Sequence, residues 1–152
     1  GTLRFSTHED SANRVLADDE QGICLRDARI AVVRLDDEDA IEAPRLLKID
    51  VEGFEGAVLE GASDILRRPT LDALIVELIG LGSKHGYDEQ KLRRDLDRSG
   101  FKPYRYDPFR RKLTSAAEGR SRSGNTIFVR SKDRVGERIA TAPPFRVLDH
   151  SI

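Results

Sequence analysis

The sequence predicts an α/β fold with a largely parallel sheet, and three observations carry that reading. Arg45 to Ile79 reads as strand, helix and strand with short joints, a βαβ unit. Apolar runs of strand length alternate with stretches of helical spacing along the chain. The 152 residues are 38% hydrophobic and 35% charged, which suits one soluble domain with its own core rather than a disordered polymer.

The elements follow in order. Thr2–Ser6 alternates polar and apolar, predicting a short strand with Leu3 and Phe5 on one face. Residues 7–22 are polar and acidic and read as a loop with one helical turn at most. Ala28–Leu35 is β-branched and predicts a second strand. Asp36–Glu42 is densely acidic, an expected exposed turn of helix ended by Pro44. Leu46, Leu47, Ile49 and Val51 make a near-continuous apolar strand, of the kind covered on both faces of a parallel sheet. After Gly53, the residues Phe54, Val58, Ala62 and Ile65 fall at spacings of four, four and three, one helical stripe widened by Leu59 and Leu66. Arg67 and Arg68 suit that helix's C-terminus, and Pro69 stops it. Leu71–Ile79 is the second strand of the unit, parallel to the first through a right-handed crossover. Asp88–Ser99 predicts a helix with Leu92 and Leu96 inward, closed by Gly100. Phe101–Tyr106 reads as a strand, Asp107–Gly124 as a basic loop and Thr126–Arg130 as the final strand. Asp133–Thr141 reads as a helix, and Pro143 with Pro144 begins a tail.

Charge is unevenly spread. Residues 1–60 carry 7 Lys/Arg against 15 Asp/Glu, while residues 101–152 carry 12 against 5. Such asymmetry marks either an interaction tail or two ends of one fold lying side by side. The single cysteine, Cys24, excludes an intrachain disulfide and a cysteine-based zinc site, and reads as inert and half-buried. No apolar run is long enough to span a bilayer, and Arg4, His8, Glu9 and Asp10 break any leader-like segment, so a cytoplasmic protein without a membrane partner is expected. The sequence has no methionine and starts at Gly1, compatible with a removed initiator or with a piece of something longer.

Ligands of open α/β sheets bind at the carboxyl ends of the parallel strands. Asp50 stands at the end of the first strand of the βαβ unit, followed by Glu52 and Glu55, and Glu77 stands near the end of the second. Lys48, two residues before Asp50, projects to the same face. Such a cluster could act as a general base, hold a divalent cation or bind an ammonium group. Its plainer reading is that Asp50 and Glu52 complement the following helix, Glu55 is solvated, and Glu77 pairs with Lys48. His85, in a loop beyond Glu77, is a further candidate facing an acceptor; His8 and His150 read as terminal and solvent-exposed. Tyr104, Tyr106 and Phe109 interleave with Arg105, Arg110, Arg111 and Lys112, a composition shared by nucleic-acid surfaces and by acceptor-recognition loops. The overall charge of −1 makes a nucleic-acid partner the weaker of the two.

The stretch from Lys48 to Ala62, KIDVEGFEGAVLEGA, closely resembles the motif of the FkbM family of S-adenosylmethionine-dependent methyltransferases. Other pieces are similar and fall in the family's order: Val33 to Asp37 (VRLDD), Leu74 to Leu78 (LIVEL), Gly100-Phe101 and Asn125 to Arg130 (NTIFVR). The resemblance is strongest over residues 28–130, leaving 131–152 as a C-terminal helix and tail of a single partial domain spanning 1–152. It implies a class I methyltransferase-like, Rossmann-like sheet, mixed and seven-stranded in full, with its last strand antiparallel. It implies S-adenosyl-L-methionine as cofactor and transfer of its methyl to a hydroxyl of a sugar, glycolipid or polyketide-type metabolite. Asp50 and Glu52 would take the acceptor's proton or hold the cofactor's amino group, with Lys48 and Glu77 in support; no metal ligand is assigned. The family's D-x-G-A-N-x-G turn and the acidic residue ending its second strand do not occur here. Gly1 to Asp37 instead resembles the segment after the family's third strand, so the first three strands are expected to be lacking and the cofactor-binding residues stay unassigned. The strand from Arg45 to Val51 would then have a bare edge, open to a partner chain or a second copy. The alternative expectation is a non-catalytic remnant of the fold that serves as an interaction module.

Overall fold

The computed structural model describes residues 1–7, 13–17, 26–116, 124–147, 150 and 151. Cys24, His8 and the side chain of His150 lie outside the described residues.

The centre of the molecule is a five-stranded mixed sheet of order β3-β4-β7-β5-β6. Its strands are β3 (Leu46–Ile49), β4 (Ala73–Glu77), β5 (Lys102–Asp107), β6 (Lys112–Ser115) and β7 (Asn125–Val129). The βαβ unit forms as expected: β3 and β4 pair in parallel, with Lys48 opposite Ile75 and Ile49 opposite Val76, and α1 (Glu55–Gly61) lies between them in the chain. The expectation of a largely parallel sheet is corrected, because β7 inserts between β4 and β5 and runs antiparallel to both. The closing strand thus has the direction that the resemblance implied.

The sequence reaches this arrangement through two apolar faces. Leu74 and Val76 of β4 and Phe128 of β7 turn toward Leu59 and Ala62, Ile65 and the Leu96 of α2 (Glu89–Arg98). Ala73 and Val129 turn to the other face, with Leu113, toward Val135 and Ile139 of α3 (Lys132–Thr141). Period-2 alternation therefore gives the sheet a helical layer on each side. The Asp88 carboxylate caps α2 by accepting from the Gln90 amide at 2.8 Å, and Ser131 caps α3 in the same way.

Three local expectations change. The helix after Gly53 does not run through to Arg68; it stops at Gly61 and resumes as a 3₁₀ turn over Ile65–Arg67. The cause is Asp36, expected to be exposed, whose side chain is only 4% accessible. Its carboxylate accepts from the amides of Asp64 and Ile65 at 3.0 Å and from the Ser63 hydroxyl at 3.1 Å, starting a new turn where the helix would have continued. Burial pushes the Asp36 carboxyl up, yet those amides, Ser63 and Arg34 together hold it down at about 2. Within the stretch read as a basic loop, Lys112–Ser115 folds back on β5 as β6, buries Leu113, and follows a turn closed by Arg111 at φ 50°. The proline-rich tail leads to a short hairpin, β8 (Arg146–Val147) with β9 (His150–Ser151).

At the other end, β1 (Thr2–Ser6) pairs antiparallel with β2 (Asp27–Ala31) as a separate ribbon, shorter than the Ala28–Leu35 strand expected. Phe5 bridges to Val15, and Val15 to Ala17 are buried there. β3 is an edge of the five-stranded sheet, and Leu46 on it is 52% exposed, so this strand is not covered on both faces among the described residues.

Candidate active site

The site is built at the carboxyl ends of β3 and β4. In-register parallel pairing carries Asp50 and Glu77 to adjacent strand tips, one step past Ile49 and Val76. The backbone then turns sharply. Glu52 has φ 52° and Gly53 φ 103°, so two successive residues occupy left-handed space. Glycine is required at 53 for a second reason: a β-carbon there would sit 2.9 Å from Leu81 Cβ and 3.0 Å from its carbonyl oxygen. Glu52 has no such exemption, and a non-glycine residue in this region stores roughly 1 kcal/mol of strain.

Glu55 holds that turn. The sequence pattern puts it on the solvated side of the helix; the structure buries it to 2% exposure. Its Oε1 accepts from the Gly53 amide at 3.1 Å and the Val51 amide at 3.4 Å, satisfying the donors that the tight turn leaves over.

The result is a cluster. Asp50, Glu52 and Glu77 each place a carboxylate oxygen within 4.8 Å of the others. Lys48 donates its ammonium to Asp50 Oδ2. That bond, then a hydrogen bond from Glu77, holds the Asp50 carboxyl below the usual carboxylate range. Glu77 moves the other way: burial raises it first, and the Asp50 hydrogen bond and the charges of Asp50, Glu52 and Glu55 raise it further. Of the two strand tips, Asp50 is thus the carboxyl that ionises more readily and Glu77 the one that takes up a proton first. Lys48 therefore serves Asp50, and the alternative pairing of Lys48 with Glu77 is not the one formed.

Two residues that sequence reasoning passed over frame Glu77 from β7. Gly124, at φ 76°, lies against it so closely that a β-carbon would be 3.0 Å from Glu77 Oε1 and 2.6 Å from Ile79 Cγ2. Asn125 is the register partner of Glu77, and its Oδ1 is buried without a hydrogen-bond partner. His85 does not join the carboxylates; its ring packs edge-on against Phe54 at 5.2 Å. A groove of about 1120 Å³ opens from Leu78 and Gly80 along α2, lined by Tyr87, Arg93, Phe101 and Phe128. It adjoins the end of β4, and the carboxylates stand beside it rather than in its wall.

Three clustered carboxylates, one of them paired with an ammonium, make an acidic spot suited to hydrogen-bond donors and to cations. No curated protein and no solved structure shows significant similarity to the chain. The model of the methyltransferase FkbM domain matches residues 4–103, beginning in β1 and reaching into β5. With the motif at the β3–α1 junction and a mixed Rossmann-like sheet around it, the chain belongs to the FkbM methyltransferase domain family.

Proposed function

We propose that the chain is the acceptor-side part of an S-adenosylmethionine-dependent O-methyltransferase, and that the Asp50–Glu77 pair handles the acceptor's proton. The family supports methyl transfer in general; the carboxylates gathered at adjacent strand tips, with oxygens within 4.8 Å of one another, support a hydroxyl acceptor. An alcohol is a poor nucleophile until its proton leaves, and the proton becomes acidic as the new carbon–oxygen bond forms. Asp50, ionised and partly accessible, accepts a hydrogen bond from that hydroxyl and takes its proton. Lys48 holds Asp50 in place by donating to it and favours its ionised form, and Glu77 stands beside it at the next strand tip.

The cofactor fits this donor set in one half only. S-adenosylmethionine supplies an electrophilic methyl on a cationic sulfonium, and carries an ammonium as well. Glu52, half-buried in the left-handed turn beside Asp50, is the carboxylate we assign to that ammonium. The glycine turn that approaches the cofactor in the family is absent from the sequence, and we assign it to a further segment or a partner chain pairing along β3. The acceptor is a hydroxyl of a sugar, glycolipid or polyketide-type metabolite.

Calorimetric titration of the 152-residue chain with S-adenosylmethionine tests the reading. Micromolar binding that weakens in Glu52→Gln supports it; absence of heat, or heat that Glu52→Gln leaves unchanged, removes cofactor contact from this chain. One observation favours a second reading: the open β3 edge with Leu46 exposed suits an interaction module. That reading predicts silence in the titration together with self-association or partner capture that Leu46→Lys abolishes.

A further inference from the structure

We propose that the tip of the β5–β6 hairpin and the segment after α3 form one docking surface for an anionic membrane. Phe109 and Phe145 are the two most exposed large hydrophobic side chains among the described residues, at 71% and 67%. They are 36 residues apart in sequence, and a hydrogen bond joins the two segments that carry them. Arg111, in left-handed conformation at the end of the hairpin turn, donates its guanidinium to the Ala142 carbonyl just beyond α3. Each phenylalanine lies within three residues of that bond.

The charge around them is cationic. Arg110 is offset by Asp107, which accepts from its side chain at 2.9 Å and from its amide at 3.0 Å. Arg111 spends its bond on a neutral carbonyl, so that contact leaves its charge uncompensated. Lys112 and Arg138 are exposed on the same two segments, against Glu137 on the last turns of α3. Exposed aromatics amid cations are the chemistry of a surface that lies on an anionic bilayer, with rings at the acyl boundary and guanidinium groups at phosphate level. Such contact is peripheral, and no helix among the described residues is long and apolar enough to cross a membrane.

A nucleic acid would meet the same charges, and the rings argue against it. Base stacking uses aromatics on an open sheet face, whereas Tyr104 is packed beneath α3 and the exposed phenylalanines are on a turn and a tail. The chain as a whole, at −1 and pI 6.4, also lacks the basic footprint of a nucleic-acid binder.

Vesicle co-sedimentation of the 152-residue chain decides the matter, with mixed phosphatidylcholine and phosphatidylserine against phosphatidylcholine alone. The expected result is binding to the anionic vesicles only, weakened by salt and reduced about tenfold in the Phe109→Ser/Phe145→Ser double variant at unchanged melting temperature. No binding to anionic vesicles overturns the proposal, as does binding that the double variant leaves intact. Retention of single-stranded DNA without vesicle binding overturns it too, and gives the surface to nucleic acid.

Discussion

Asp50 and Glu77 end adjacent parallel strands with carboxylate oxygens within 4.8 Å of one another; the Lys48 hydrogen bond lowers the first carboxyl and burial raises the second, each helped by the other carboxyl. The pair contributes to stability in two opposite senses. Asp50 titrates below its ordinary 3.8, so its contribution is present above that pH and is lost as acid protonates it. Glu77 titrates above 4.5, so its contribution is present below 4.5 and is lost as pH rises through its raised value. Glu77→Gln keeps a donor facing Asp50 without the charge. Thermal melts should show this variant more stable than the parent near neutral pH and matched to it in acid.

Asp36 should behave as a structural carboxylate. Its contribution is complete above pH 3.8 and disappears as pH falls toward about 2. Asp36→Ala leaves the Asp64 and Ile65 amides without their acceptor and should cost about 2 kcal/mol. Urea unfolding of the variant at neutral pH measures it.

Gly53→Ala and Gly124→Ala test the two close approaches at the site. Each forces alanine into a left-handed backbone at roughly 1–2 kcal/mol, with steric contact added. The Gly53 variant presses on the Leu81 backbone and should be the more costly; the Gly124 variant presses on Glu77 and Ile79 side chains. Only the second should disturb the titration of Glu77 while leaving the fold in place, as read by carboxyl NMR.

Below the sheet, Asp72 is 2% exposed and held by Arg134 at 2.6 Å and Arg45 at 3.4 Å. Both guanidinium groups are about half exposed, which screens the pairs. Arg134→Ala should cost about 1–2 kcal/mol, and Arg45→Ala less, in denaturant unfolding.

What the sequence disclosed divides along a physical line. The βαβ unit, the α2 stripe of Leu92 and Leu96, and the junction carrying Lys48, Asp50 and Glu52 were legible because local periodicity and a contiguous motif encode them. The insertion of β7 between β4 and β5 was not legible from pattern alone, since pairing order depends on contacts distant in the chain. The same holds for Asp36, whose acidic neighbours signalled solvent while its partners lay 27 to 29 residues away. Gly124 and Asn125 were missed as site residues for that reason: only the β4–β7 register brings them to Glu77.

The central claim is that the Asp50–Glu77 pair meets the reactants. Carboxyl carbon-13 NMR, following both residues as S-adenosylmethionine is added, reads this most directly. Saturable shifts of both signals, with Glu77 titrating above its ordinary range beforehand, are the predicted result. Two signals that stay fixed while the cofactor binds elsewhere on the chain would contradict it.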